Sequence, residues 1–326
     1  MPLSSQLTQF ANPTEGLTTA DIPGRPPGPD EVVVKMLAAP INPADLNVIE
    51  GTYGSLPTLP AAIGNEGVGR IVQVGEGVTH LREGALVLPM TLGTWASEIT
   101  IAAGSLIPLP DGVDIAQASM LTVNPATAWR ILHDFVSLKP GDWIAQNAAN
   151  SGVGRSMIQL AHACGFRTLN VVRRAELVEE LRAAGGDVVV TEECDLRKEV
   201  KTLCAGAKPR LGLNAVGGSS ALNIANSLAP GSPLVTFGAM SKQALKIPNG
   251  LVIFSDIRFQ GFWLKRWRDR ATPEMLAKNY SELAAHLANG TLHTPVAATF
   301  KLPDVREAVA AASKDQRVGK ILLDLA

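Results

Sequence analysis

Apolar positions follow two rhythms along the chain. Up to about residue 115 they come in short runs broken by glycine and proline: EVVVKMLAAPIN (31–42), GVGRIVQVG (67–75) and GALVLPM (84–90), parted by turns such as GEGVTHLREG. Runs of this length between turn residues predict strands, and their irregular order predicts a partly closed β domain. The second rhythm begins with NPATAWRILHDFV (124–136), where Asn124 suits an N-cap and Pro125 the first helical position. After the turn KPGD, strand-like runs at 143–148, 168–172, 187–190, 211–216, 233–238 and 257–262 are mostly separated by helical spacing. Six strands in that alternation predict a doubly wound parallel sheet. The tail, 295–326, returns to short strands around the helix LPDVREAVAAASKD and is expected to complete the first domain. The expected division is therefore 1–118 with 295–326, and 119–294. No repeat or low-complexity tract interrupts it.

Composition narrows the class. A chain of 326 residues suits two domains, and 46% hydrophobic residues allow a large core without disulfides. A net charge of −1 argues against a nucleic-acid partner. No apolar run is long enough to predict a transmembrane helix. The three cysteines, Cys164, Cys194 and Cys204, are odd in number and lack C-x-x-C spacing, which predicts a reduced intracellular protein. The start, MPLSSQLTQF, lacks the basic and apolar blocks of a secretory signal. A cytoplasmic location is expected.

The most informative stretch is WIAQNAANSGVGRSMIQLAHACGFRTLNVVRR (143–174). It reads strand, glycine-bearing turn, helix, strand. Val153, Met157, Leu160, Ala161 and Cys164 share one helical face. Gly152 and Gly154 leave room for backbone N–H groups to meet a pyrophosphate at the helix N-terminus. Ala149 and Ser151 depart from a strict G-x-G-x-x-G. Where an NAD site places an acidic residue after the second strand, this chain has Arg173 and Arg174, suited to the 2′-phosphate of NADP. The competing reading is a solvated basic pair opposite Glu176, Glu179 and Glu180. The five histidines are scattered, with no zinc-ligand spacing and no cysteine placed near any of them in a motif, so no metal is expected. Protonation then falls to a side chain or water. One of only two tyrosines, Tyr53, stands in the loop GTYGSLP. The other, Tyr280, lies in a helical stretch and reads as a packing residue.

Taken in order, INPADLNVIEGTYGSLP (41–57), GNEGVG (64–69), LTVNPATAWRIL (121–132), QNAANSGVGRSMIQLA (146–161), LNVVRR (169–174), LNAVGG (213–218), TFGAMS (236–241) and GFWL (261–264) resemble the zinc-free 2-enoyl thioester (trans-2-enoyl-CoA) reductases of the medium-chain dehydrogenase/reductase superfamily. The resemblance spans nearly the whole chain. Zinc-dependent relatives carry a cysteine at the position of Asn42 and a histidine at that of Asn65, and a four-cysteine lobe that this chain lacks.

The resemblance implies an α/β protein with a GroES-like β-rich catalytic domain and a Rossmann domain, assembled as a homodimer through the Rossmann sheets. It implies NADPH-dependent reduction of trans-2-enoyl thioesters, carried on CoA or acyl carrier protein, in fatty acid metabolism. Tyr53 matches the proton donor. Asn124 would lie by the nicotinamide ribose, and Asn150, Ser151, Gly152 and Val153 along the diphosphate. Phe237, Gly238, Ala239 and Met240 would edge the cofactor, Phe262, Trp263 and Leu264 the nicotinamide and acyl pocket, and Lys320 would close the site. GFWL also reads as an ordinary buried strand, and Trp263 suits a dimer contact. The loop 241–250 has no helical period, so acyl length is unreadable. The rivals are a zinc-free NADPH:quinone or enone oxidoreductase and a non-catalytic NADPH-binding protein.

Overall fold

The computed structural model describes residues 1–314 and 317–326. The chain divides into two units, Met1–Val123 with Ala271–Ala326, and Asn124–Arg270.

The second unit holds six strands, every pairing parallel, in the order Val188–Thr191, Arg167–Val172, Trp143–Gln146, Leu211–Asn214, Pro233–Thr236, Arg258–Gly261. The strands Trp143–Gln146 and Leu211–Asn214 are buried throughout, as a sheet covered on both faces requires. Alternate residues feed opposite layers. Leu169 and Val171 join Trp143, Leu196, Val200, Ile224 and Leu228 in one cluster, while Val172 joins Ile158, Leu177, Leu181 and Val189 in another. Strand order reverses between Trp143–Gln146 and Leu211–Asn214, and it is outside such a reversal that open α/β sheets bind ligands. All six expected strands are present. The first ends at Gln146 rather than 148, because Asn147–Ser151 peels away into the turn.

The first unit has a seven-stranded sheet built around the long strand Glu31–Pro40, which pairs with Val68–Val74, Glu98–Ala102 and Lys320–Asp324. A second, three-stranded sheet joins Leu17–Asp21, Leu3–Leu7 and Ala61–Ala62. The core between them includes Leu7, Val34, Met36, Trp95, Ile321 and Leu323. The Trp95 indole N–H donates to the Pro40 carbonyl. In the tail, the strands Val296–Lys301 and Lys320–Asp324 run parallel, with the helix Val305–Ser313 between them in sequence. Asp315, the last residue of the expected tail helix, lies outside the described residues. The helix Pro273–Ala288 also belongs to this unit, and Tyr280 is fully buried there with its hydroxyl donating to the Thr122 carbonyl.

Several short elements escaped the sequence pattern, among them the helices Ile115–Ser119, Asn249–Ile253 and, of most interest, Pro43–Ile49. Its signal is local. Asn42 caps it, Pro43 opens it, and Asp45 completes a capping box.

The three cysteines are free, and burial raises the pKa of each thiol, that of Cys204 to about 12. Among the described residues, no helix is long and apolar enough to cross a membrane.

Candidate active site

In the second unit the candidate residues gather at the carboxyl ends of the strands. Ser151 caps the helix Gly152–Ala163, its hydroxyl accepting from the Gly154 N–H at 3.1 Å. The turn tolerates no side chain at two places. A Cβ on Gly152 would lie 2.8 Å from the Asn124 side chain, and one on Gly154 would lie 2.5 Å from the Ala149 carbonyl. Bare backbone ahead of a helix N-terminus is the form a diphosphate needs, so these residues fit a dinucleotide. Val153 is buried behind the turn. The amide of Asn147 bridges the reversal point, donating to Asn214 Oδ1 and accepting from the Ala215 N–H, both at 2.8 Å.

The following loops are tied to this frame by backbone. Phe237 N–H donates to the Asn214 carbonyl, Met240 N–H to that of Ala215, and Phe262 N–H to that of Thr236. Gly238 passes so close to Ala215 that a Cβ would meet its carbonyl at 3.0 Å. Ala239 and Met240 are exposed. The GFWL stretch is not a continuous strand: the sheet ends at Gly261, Trp263 caps a short helix Leu264–Arg268, and Leu264 is buried. The Phe262 ring meets that of Phe135 edge-on at 6.1 Å.

The basic pair separates into two environments. Arg173 is exposed, while Arg174 is half-buried and 3.2 Å from Glu176. Glu179 pairs with Arg182. Glu180 pairs with Arg155, a residue the sequence did not single out. Arg155 is buried in the helix Gly152–Ala163, where its guanidinium donates to Glu180 at 2.6 Å and to the Asn150 carbonyl at 3.2 Å. It thereby joins the phosphate-type turn to the helix Leu177–Ala183. A cation four residues after an N-cap, beside three downstream glutamates, was the available signal.

Tyr53 and Lys320 belong to the first unit. Tyr53 is half-buried in a loop whose backbone is anchored: the N–H groups of Thr52 and Tyr53 both donate to the Asn47 carbonyl, at 2.8 and 3.1 Å. Lys320 is buried in a polar cluster that sequence reasoning missed. Its ammonium donates to Asn42 Oδ1, and Asn42 Nδ2 donates to Glu66 at 2.7 Å. The other Glu66 oxygen accepts from the Val123 N–H and the Thr122 hydroxyl. Asp45 accepts from the Asn42 N–H and from Asn65 Nδ2, each at 2.7 Å. Burial raises Asp45 to about 7, with the Asn42 N–H bond opposing it most and the charge of Glu66 adding to it, and burial lowers Lys320 to about 8, opposed by the charges of Glu66 and Asp45.

This cluster decides the metal question on donor chemistry. A zinc ion needs several lone pairs converging on one point. Here the amides of Asn42 and Asn65 direct N–H groups at the carboxylates, and an ammonium holds the remaining amide oxygen of Asn42. These residues do not fit zinc.

Comparison with known proteins agrees with this frame. Residues 28–111 match the alcohol dehydrogenase GroES-like domain, and residues 152–280 match the family described as zinc-binding dehydrogenase. The mitochondrial enoyl-[acyl-carrier-protein] reductase of Homo sapiens is 43% identical across 87% of this chain and 78% of its own length. Among solved structures, a protein described as an NADPH:quinone reductase from Bacillus thuringiensis superposes with TM-score 0.92 at 29% identity, over 99% of both chains. The 2-enoyl thioester reductase Etr1p of Candida tropicalis, solved with NADP and crotonyl-CoA, superposes with TM-score 0.90 at 30% identity, again over 99% of both chains. The chain belongs to the enoyl thioester reductase family of medium-chain dehydrogenases/reductases.

Proposed function

We propose that this protein reduces trans-2-enoyl thioesters with NADPH, and that Tyr53 delivers the proton. The observation that carries this reading is the Tyr53 loop: a half-buried phenol on a backbone-anchored turn, in a unit whose metal-type positions hold amides instead. Bound NADPH would supply a hydride to the substrate Cβ. The resulting enolate needs a proton at Cα, and a neutral phenol provides one at neutral pH.

Asn150, Ser151, Gly152, Val153 and Gly154 would receive the diphosphate, and Arg173 with Arg174 the 2′-phosphate. Asn124, packed against Gly152, would approach the ribose. The Phe237–Met240 and Phe262–Leu264 segments would line the nicotinamide end, and Lys320 would act from the first unit. The thioester carrier is CoA or acyl carrier protein: the human relative is named for the protein carrier, and Etr1p was solved with a CoA ester.

A homodimer is supported by the edge strand Arg258–Gly261, which pairs only with Pro233–Thr236 among the described residues. The nearby segment exposes Val252, Ile253 and Phe254, at 47, 68 and 86%. An open edge beside exposed apolar side chains favours a second copy as its cover. Etr1p has been solved as a heterodimer with Etr2p. The free cysteines suit a reducing compartment; a cytoplasmic location is one such reading, and the human relative is named as mitochondrial.

The likeness to the Bacillus quinone reductase favours one rival reading. Following NADPH oxidation with a medium-length trans-2-enoyl-CoA, with a quinone as alternative acceptor, in wild type and Tyr53→Phe separates the two. Enoyl-CoA turnover that collapses in the variant supports the reductase. Quinone turnover that ignores the substitution, with negligible enoyl-CoA activity, moves the protein to the quinone reductases. Cofactor binding without turnover of either acceptor makes it a binding protein.

A further inference from the structure

We propose that Asp45 is a positioning residue for Tyr53, acting through the helix Pro43–Ile49. The inference rests on the reading of Tyr53 as proton donor. It is carried by an unbroken series of contacts within the first unit.

At one end of the helix, both carboxylate oxygens of Asp45 are engaged. One accepts from the Asn42 N–H and closes the first helical turn, and the other accepts from Asn65 Nδ2 and ties that turn to the segment before Val68–Val74. Asp45 is 1% exposed, so neither bond is replaced cheaply by water. At the other end, Asn47 lends its carbonyl to the N–H groups of Thr52 and Tyr53 and to the Thr52 hydroxyl. A helix this short has little stability of its own, and its place depends on its anchors. The cap is held through the Asn42 side chain by Glu66 and Lys320, and Asp45 adds the tie that fixes the first turn laterally to Asn65. Loss of the Asn65 tie would let the helix tilt, and the Asn47 carbonyl would carry the Tyr53 backbone with it. A phenol displaced by even an ångström transfers its proton poorly.

The arrangement differs from packing alone because it is directional. In its ionised form, which prevails above about pH 7 and in which the variants are compared, Asp45 offers two acceptors to two donors. Asp45→Asn puts an N–H₂ group against one of those donors, while keeping size and shape. The exchange Asp45→Asn with Asn65→Asp restores the match: the new amide accepts from the Asn42 N–H and donates to the new carboxylate at position 65.

The test uses the full-length protein with NADPH and crotonyl-CoA. It also uses fluorine NMR after meta-fluorotyrosine labelling, which yields two lines because the chain has only two tyrosines. Tyr53→Phe assigns the line of Tyr53. Asp45→Asn should lower kcat about ten-fold while KM for NADPH stays within about two-fold, and should shift or broaden the Tyr53 line more than that of Tyr280. The exchanged pair should recover kcat to within about three-fold of wild type and return the line. Should Asp45→Asn fail to fold, Asn65→Ala removes only the lateral tie and should give the same pattern at smaller amplitude. An unmoved Tyr53 line, equal movement of both tyrosine lines, or no recovery in the exchanged pair overturns the proposal. Full kcat in Tyr53→Phe removes the proton-donor reading instead, and the Tyr53 line still decides whether Asp45 holds that side chain in place.

Discussion

The Lys320 ammonium donates to the side-chain oxygen of Asn42, 278 positions earlier in the chain, with Glu66 and Asp45 as its acidic neighbours. The contact joins the tail strand Lys320–Asp324 to the cap of the helix Pro43–Ile49. Burial lowers the pKa of the lysine to about 8, which leaves it largely charged at neutral pH. Lys320→Met removes the cation and leaves two buried carboxylates without it. The expected cost is about 3 kcal/mol in urea unfolding, because stranding a buried charge costs more than the pair contributes. A loss below about 1 kcal/mol would show that the carboxylates are compensated without the lysine.

Asp45 titrates against the usual direction for a carboxylate in an ion-pair network. Burial raises it from 3.8 to about 7, with Glu66 acting the same way and the bonds from Asn42 and Asn65 and the charge of Lys320 opposing. The folded protein therefore holds this proton more tightly than the unfolded chain. Its contribution to stability is complete below about pH 4 and is lost as the pH rises through about 7. Asp45→Asn has no such proton. The stability of wild type minus that of the variant should fall between about pH 5 and about pH 7.5, on the order of 1 kcal/mol per pH unit. A difference independent of pH would place the Asp45 pKa near its ordinary value.

Arg173 and Arg174 follow the second strand of the parallel sheet, where the 2′-position of a bound dinucleotide is read. Replacing both with serine should weaken NADPH at least about ten-fold and change NADH little, measured by cofactor fluorescence. Equal weakening of both cofactors would remove these residues from the phosphate site and leave Arg174 as the partner of Glu176.

Arg155 holds the Asn150 carbonyl from beneath the phosphate-type turn and neutralises Glu180. Arg155→Met should raise KM for NADPH by about ten-fold or more and lower stability by about 2 kcal/mol. Glu180→Gln keeps a hydrogen-bond acceptor and should cost much less. Equal effects from both substitutions would make the ion pair, rather than the tie to Asn150, the important contact.

What the sequence could reveal followed from how local each signal is. The central strands of the second unit, Trp143–Gln146, Leu211–Asn214 and Pro233–Thr236, could be read because they are buried on both faces, and the edge strand Arg258–Gly261, largely exposed, only from the alternation around it. The turn around Ser151, Gly152 and Gly154 could be read because cap, glycines and helix are contiguous. The Asp45–Asn42–Glu66–Lys320 cluster could not. Its members lie in three separate stretches, Asn42 with Asp45, Glu66, and Lys320, and nothing in the sequence says that the fold brings them together. The helix Pro43–Ile49 could have been read, since its capping box is written in NPAD, with Pro43 at the first helical position. Glu180 was grouped with Arg173 and Arg174 by proximity in sequence. The helix Leu177–Ala183 instead turns it toward Arg155.

The three raised thiol pKa values give the protein a quiet background toward electrophiles. Cys204 is buried and pushed to about 12, and Cys164 and Cys194 are also raised, so little thiolate is available near neutrality. A newly introduced exposed cysteine would outcompete all three for a maleimide. Leu56 lies on the Tyr53 loop and is 43% exposed. Leu56→Cys would therefore take a single spectroscopic label there, reporting on the loop during turnover with every native cysteine retained.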